Sequence, residues 1–357
     1  MGPSIISSET FRRVRAERVA LLLFLGSAWA CVPEFSDETS RVKEPRILAV
    51  RAEPAEARPG ASVTLRALFV NEDGEEEGGD SIEWALCVAR KPLTEVGLVA
   101  PECVTEFGSD SAALKGLGEG PSVSAPLASD VCRQFGPLSP PIAQGETVPG
   151  RAVDPDSTGG YYQPVVVGNP EPVAGRIRAL CGPGDLPQAE SIRFNQGYRP
   201  NENPEPEEIR AIVDGEEEPV ESTVQVAPGH ELTIVVHFPA CPSTPVCGDG
   251  LCTANENSTL CPEDCGRDAV GCLGAEAYLY GDPVTRTAVL KEEALEIGWF
   301  AAKGTFELAT TDNAEYPEIV SNIWIAPEEE LETTLWLVAR DDRGGTSWRS
   351  VHVRVEQ

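Results

Sequence analysis

Cysteine is the residue type in this chain with the most chemistry to offer. Eleven are present: Cys31, Cys87, Cys103, Cys132, Cys181, Cys241, Cys247, Cys252, Cys261, Cys265 and Cys272. A thiol can bind a soft metal, act as a nucleophile or be oxidised to a disulfide, and spacing and compartment decide which. Six of them fall between Cys241 and Cys272. A segment so short cannot build an apolar core and needs staples. Zinc is a poor alternative, because no histidine lies nearby. The three histidines, His230, His237 and His352, stand in no nucleophile or metal-binding spacing. Paired carboxylates are abundant, but among 58 acidic residues they carry almost no information. No catalytic residue, cofactor or resident metal is therefore expected, and the chain does not read as an enzyme.

The compartment follows from the N-terminal stretch. Arg12, Arg13, Arg15 and Arg18 precede an apolar run from Val19 to Leu25, then small residues and Cys31. That is the layout of an export signal. The run is too short to span a bilayer as a mature helix, which takes about 20 apolar residues. Residues 1–30 are thus expected to be a signal peptide, with the cysteines beyond it in an oxidising compartment. Ala28-Trp29-Ala30 has the small-x-small form read by general signal peptidase. With Cys31, the same residues resemble a lipoprotein signal, whose cysteine is acylated. Parity favours the second reading: with Cys31 set aside as lipid carrier, ten cysteines remain and can pair completely. Lipidation at Cys31 makes the membrane a partner through an N-terminal lipid. It places the chain in the cell envelope, at the outer membrane on its periplasmic or surface face.

Composition narrows the class. The net charge is −30, and removing residues 1–30 leaves a more acidic remainder. Such a surface repels nucleic acid, so no nucleic-acid partner is expected. With 33 Gly, 31 Pro and one Met, and with short Val/Leu/Ile runs, the chain reads as all-β with many turns.

These cysteines need elements to hold them. Residues 31–45 are short, polar and without periodicity, and read as a tether. Ile47–Val50 is a strand, and after the Pro59-Gly60 turn Val63, Leu65, Ala67 and Phe69 alternate as a half-buried one. Asn71 to Asp80 is an acidic loop without the fixed oxygen spacing of a known calcium loop. Ile82–Ala89 resumes strand, with Trp84 and Cys87 three apart and so on opposite faces. From Pro92 to Gly150 the pattern is weak, and Cys103 and Cys132 anchor long loops. Strands return at Gly159–Val167 and Val173–Cys181, with a helical turn or two in Leu186–Asn195. Tyr198–Pro206 breaks any regular element and reads as an interdomain linker. Beyond it, Val226–Phe238 matches Ala57–Phe69 position for position in turn and inward face, and a short strand precedes each. Ala294–Ala301, Thr305–Ala309, Asn322–Ala326 and a hairpin of Thr333–Arg340 with Ser347–Val355 complete the second copy. In that hairpin Val351, Val353 and Val355 face inward, and the glycines of Asp341-Asp342-Arg343-Gly344-Gly345 supply positive φ. The expected fold is two β-sandwich domains in tandem, residues 46–200 and 201–357, the second carrying a disulfide-rich insertion at 241–272.

These sandwiches resemble the Ig-like and PKD-like modules of extracellular bacterial proteins. Asp154-Pro155-Asp156-Ser157-Thr158-Gly159-Gly160-Tyr161-Tyr162-Gln163-Pro164-Val165 and Leu335-Trp336-Leu337-Val338-Ala339-Arg340-Asp341-Asp342-Arg343-Gly344-Gly345 resemble cysteine-led lipoproteins of myxobacteria. The run from Cys247-Gly248-Asp249-Gly250-Leu251-Cys252 to Cys261-Pro262-Glu263-Asp264-Cys265 resembles the small cysteine-rich repeat of bacterial secreted proteins, with Ser258 where that repeat commonly has a further cysteine. It is also distantly similar to the Notch-type repeat, which holds calcium. Cys241 ends a strand and Cys272 precedes the next, so their pairing closes the insertion at its base. Cys247, Cys252, Cys261 and Cys265 then pair in one of three ways. Asp249, Asn255, Glu256 and Asp264 either hold calcium or bond turn amides. The resemblance implies no activity. Two roles follow: a structural or protein-interaction lipoprotein contacting another envelope protein, or a glycan- or peptide-binding surface module, calcium-assisted, that uses exposed Tyr161 and Tyr162.

Overall fold

The computed structural model describes residues 39–76, 82–90, 99–136, 157–168, 171–184, 186–265, 271–316 and 318–357. The signal segment, Cys31 and the start of the expected tether lie outside these residues.

In the first half, the alternating run β3 (Ser62–Val70) sits between β1 (Arg46–Glu53) and β6 (Ser122–Pro126) in a three-stranded sheet. Facing it is a five-stranded sheet ordered β2 (Glu56–Ala57), β8 (Pro172–Ala179), β7 (Tyr162–Gly168), β4 (Glu83–Cys87) and β5 (Leu114–Glu119). Val63, Leu65, Trp84, Val165, Val167 and Ile177 interdigitate between the sheets. Three short helices, α1 (Pro101–Thr105), α2 (Val131–Gln134) and α3 (Gln188–Gly197), lie on connections. The third is the turn or two expected near Leu186.

The second half repeats the plan. One sheet runs β10 (Glu216–Pro219), β9 (Glu208–Val213), β12 (Glu231–His237), β18 (Ile319–Ile325) and β16 (Thr305–Phe306). The other runs β11 (Val224–Val226), β20 (Thr346–Val355), β19 (Leu331–Asp341), β15 (Leu295–Ala301) and β17 (Thr310–Asp312). In both halves a short strand crosses over to pair parallel with the last one, β2 with β8 and β11 with β20. This sheet-switching start and the two-sheet order are those of the immunoglobulin-like sandwich. Each half also buries one tryptophan on the equivalent strand, Trp84 and Trp299, both at 0% exposure. The repeated turn has one physical cause. Gly60 at φ 79° and Gly229 at φ 74° occupy the left-handed region that L side chains disfavour, and each is followed by the same turn bond, Ala61 N–H to Arg58 O and His230 N–H to Ala227 O.

The two sandwiches pack through their outer faces. Leu48, Ala49, Leu68 and Val70 of β1 and β3 meet Trp336 and Val338 of β19, with Val42 and Ala302 at the margin. Trp336 is fully buried there. Thr39–Gln357 consequently clusters as one compact unit. Two stretches read as solvated from composition are built into it. From Thr39 on, the expected tether packs down, with Val42 buried and its amide bonded to Ala301 O at 2.9 Å. Tyr198–Pro206, read as an open linker, buries Asn201 and Asn203 to 1% and 3% exposure. Asn203 Nδ2 donates to Ala52 O of the first sandwich while its Oδ1 accepts from the Thr346 amide of the second. Asn203 thus carries backbone hydrogen bonds across a seam.

All of the long excursion in the second sandwich lies between β12 and β15. It contains the cysteine-rich run and a separate hairpin, β13 (Ala277–Asp282) with β14 (Thr287–Glu292).

Candidate functional site: a buried charge cluster between the sandwiches

Most of the buried charges among the described residues gather in one place. The turn joining β19 to β20 presents Arg343, which is 0% exposed. Asp341 shapes that turn by accepting from the Gly345 amide at 2.8 Å, and Gly344 takes φ 104°. The expectation that both glycines supply positive φ holds only for Gly344. Glu276 and Glu293 bracket the β13–β14 hairpin, and the Glu293 amide donates to Glu276 O at 3.0 Å. Strand pairing therefore places both carboxyls on the same guanidinium: Arg343 Nη1 lies 2.8 Å from Glu276 and 3.0 Å from Glu293. Its Nη2 donates to Arg199 O at 2.8 Å and to the Tyr198 hydroxyl at 3.2 Å.

The first sandwich contributes the other side. Glu56 of β2 accepts from the Tyr198 hydroxyl at 2.7 Å and from the Asn201 amide at 2.9 Å. Arg178 of β8, 3% exposed, pairs with Glu56 at 3.4 Å and donates to Thr158 and to the Tyr162 hydroxyl, each at 2.8 Å. The Tyr162 hydroxyl in turn donates to Arg343 O at 3.2 Å. Tyr278, fully buried, faces the Arg343 guanidinium at 4.8 Å from its ring centre.

Electrostatics fixes the protonation. Burial works against the Arg343 charge, yet Tyr198, Glu293, Glu276 and Glu56 outweigh it and raise its pKa further above the usual arginine value. Burial raises Glu276 to about 7 against the pull of Arg343, with Asp341 adding to the rise. Burial together with Asp341 and Glu276 also pushes Glu293 well up. One guanidinium cannot neutralise two buried carboxylates, so the pair keeps a proton into the neutral range. The cluster can hold a geometry and respond to pH. Among the described residues it contains no nucleophile–base pair.

The residues singled out from sequence lie elsewhere. The ten cysteines beyond Cys31 form five disulfides: Cys87–Cys103, Cys132–Cys181, Cys241–Cys272, Cys247–Cys261 and Cys252–Cys265. The pair at the base of the insertion is the one read from its position, and the inner connectivity left open is now defined. Cys252, Glu256 and Cys265 come close enough to suit a metal, but the two sulfurs are bonded to one another. Glu256, 0% exposed, accepts from the Val246 and Thr253 amides at 2.7 and 2.8 Å. Asp264 accepts from Gly248 and Gly250, and Asp249 from Leu251. These oxygens hold turns together. Of Tyr161 and Tyr162, expected as exposed ligand-binding aromatics, the first is buried and the second half-buried. Tyr161 is 7% exposed, and the Tyr162 ring lies 4.4 Å from the Arg176 guanidinium. His230 pairs with Asp214 at the surface, His237 ends β12 and His352 meets Thr334. Half of the acidic loop at Asn71 is described, and there the Asn71 side chain accepts from the Asp73 and Glu75 amides.

No protein family matches the chain, and no curated protein matches it. Among solved structures it is similar to the D0-D1 domain of Intimin, at 8% identity over 86% of this chain and 98% of that one, with a TM-score of 0.19. It is similar also to fibronectin(III)-like modules of Clostridium thermocellum CbhA, at 8% identity over 90% and 94%, TM-score 0.20. The Yersinia pseudotuberculosis adhesin InvE matches at 8% identity, covering 85% of this chain and 58% of its own, TM-score 0.19. Scores so low carry no argument, and the immunoglobulin-like assignment rests on the strand order described above.

Proposed function

We propose that the chain is an exported lipoprotein of the bacterial cell envelope, acylated at Cys31, that acts as a structural or protein-interaction module without catalysis. The observation that supports this most directly is the seam between the sandwiches. A buried cluster with Arg343 at its centre, together with the apolar contact around Trp336, makes a stiff two-domain body suited to holding a surface at a fixed distance and angle. Five disulfides suit an oxidising compartment. The proposed partners are the membrane, through the lipid, and a second envelope protein. The alternative of a glycan-binding module loses its main residues as an exposed platform, since Tyr161 is buried and the Tyr162 hydroxyl is held by Arg178 and Arg343.

Two measurements test this reading. Intact-mass analysis of membrane-extracted protein should show a diacyl or triacyl mass on Cys31, and an unmodified or absent Cys31 would overturn the anchor. Cross-linking in intact cells should capture a specific envelope protein with the wild type. Saturable binding of the purified protein to one sugar class on a carbohydrate array, without such a partner, would overturn the structural role.

A further inference from the structure

Beside the charge cluster lies a partly open cavity of about 280 Å³, lined by the end of β8, the Gly159–Tyr161 run, α3 and β13. We propose that it binds a small, neutral, bicyclic aromatic molecule.

Size, charge and shape each restrict the occupant. An apolar cavity of about 150 Å³ accommodates a benzene ring. Nearly twice that volume therefore accommodates a fused pair of rings, about ten ring atoms. The two charged residues at the floor, Arg178 and Glu56, neutralise one another across 3.4 Å. Arg178 already donates to Thr158 and Tyr162, and Glu56 already accepts from Tyr198 and Asn201. A charged ligand would thus lose its hydration without gaining a counter-ion. Leu186, Phe194 and Leu279 supply apolar wall. The Phe194 and Tyr198 rings, both in the lining, are stacked on one another at 4.7 Å with an interplanar angle of 18°. Aromatic lining suits an aromatic guest.

An independent observation concerns the glycines. Gly281 interrupts β13, where a side chain would favour the strand. A Cβ there would stand 3.3 Å from Pro183 and 3.4 Å from Leu186, both on the cavity wall. A Cβ at Gly159 would stand 3.2 Å from the Tyr280 ring. A side chain at Gly281 would crowd this wall, while Gly159, at φ 70°, is a position that calls for glycine on backbone grounds as well. The cavity owes nothing to the lipid anchor, so this inference does not depend on the envelope reading.

The test is calorimetric titration of the purified, oxidised protein with 2-naphthol and, separately, with 2-naphthalenesulfonate, an anion on the same rings. One saturable site for 2-naphthol, at least about tenfold tighter than for the sulfonate, is expected. Gly281→Val should weaken 2-naphthol by about tenfold or more, while Val284→Ala at the exposed hairpin tip leaves it unchanged. Leu186→Phe fills the cavity from the neighbouring position if Gly281→Val does not fold. Absence of saturable binding, equal binding of the sulfonate, or undiminished binding by a folded cavity-filling variant would each overturn the proposal.

Discussion

Two regions of this protein bury carboxylates without a large apolar core around them, and they do so by opposite means. In the cysteine-rich insertion, Glu256 and Asp264 are met by main-chain amides and the turns they organise are fastened by covalent bonds. At the seam, Glu56, Glu276 and Glu293 are met by arginine, and every link between the sandwiches there is non-covalent. Amide dipoles belong to the same short stretch of chain and arrive with it. Guanidinium groups come from far along the sequence. The insertion is therefore a local solution, resistant to anything but reduction, whereas the seam is global and depends on charge balance.

The largest effect should come from removing the shared cation. Arg343→Met leaves Glu276, Glu293 and Glu56 buried with a deficit of positive charge, and breaking a buried pair in this way costs about 3–5 kcal/mol. Urea unfolding monitored by tryptophan fluorescence should show it. A loss under about 1 kcal/mol would mean that the seam is held by the Trp336 contact alone.

Next comes the staple at the base of the insertion. Cys241→Ser with Cys272→Ser opens a loop with a sequence separation of 31 residues, worth about 3 kcal/mol in the chain-entropy picture. The melting temperature should fall with this variant and with reductant, and should be indifferent to chelator. A large loss on chelator alone would restore the calcium reading of Asp249, Asn255, Glu256 and Asp264.

The pH dependence separates the two regions without mutation. Glu276 and Glu293 both hold their protons more tightly folded than unfolded, since burial raises them from the usual 4.5, Glu276 to about 7. The unfolded chain loses these protons first as pH rises, so their contribution to stability is fully present below about 4.5; that of Glu276 is lost as pH rises through about 7, and that of Glu293 as pH rises through its own raised value. A decrease of about 1–3 kcal/mol across that interval is expected. Glu276→Gln should flatten it, and a profile that keeps its slope in that variant would place the titration elsewhere.

The smallest effect should be at Glu256. Glu256→Gln turns one acceptor towards the amides and leaves a donor facing a donor, for a loss of about 1–2 kcal/mol, read from urea unfolding.

How much of this was legible in the sequence follows the same division. Pro59-Gly60 and Pro228-Gly229 announced both sandwiches because turn chemistry is written in adjacent residues, and the Cys241–Cys272 closure could be read from its position between strands. The seam could not. Glu56, Glu276 and Glu293 are three among 58 acidic residues, and Arg343 looked like part of a hairpin turn. The one local hint was a lone arginine set between Asp341-Asp342 and Gly344-Gly345. The burial of the Tyr198–Pro206 linker was not legible for a related reason: Pro, Asn and Glu compose a solvated linker and a hydrogen-bonded seam alike, and only the partners distinguish them.

The placement of Arg343 also sets a schedule. It follows Glu56 by 287 residues, and synthesis runs from the N-terminus. The first sandwich can complete its sheets long before the guanidinium arrives, but until then Glu56 and Arg178 face water or each other, and the outer face of β1 and β3 lies bare. Pulse-labelled hydrogen exchange should find the Asn201 amide protected only together with those of β19 and β20. The β19–β20 hairpin is thus the clasp that turns two finished halves into one object, and a chain stalled before it leaves the apolar face of β1 and β3 uncovered.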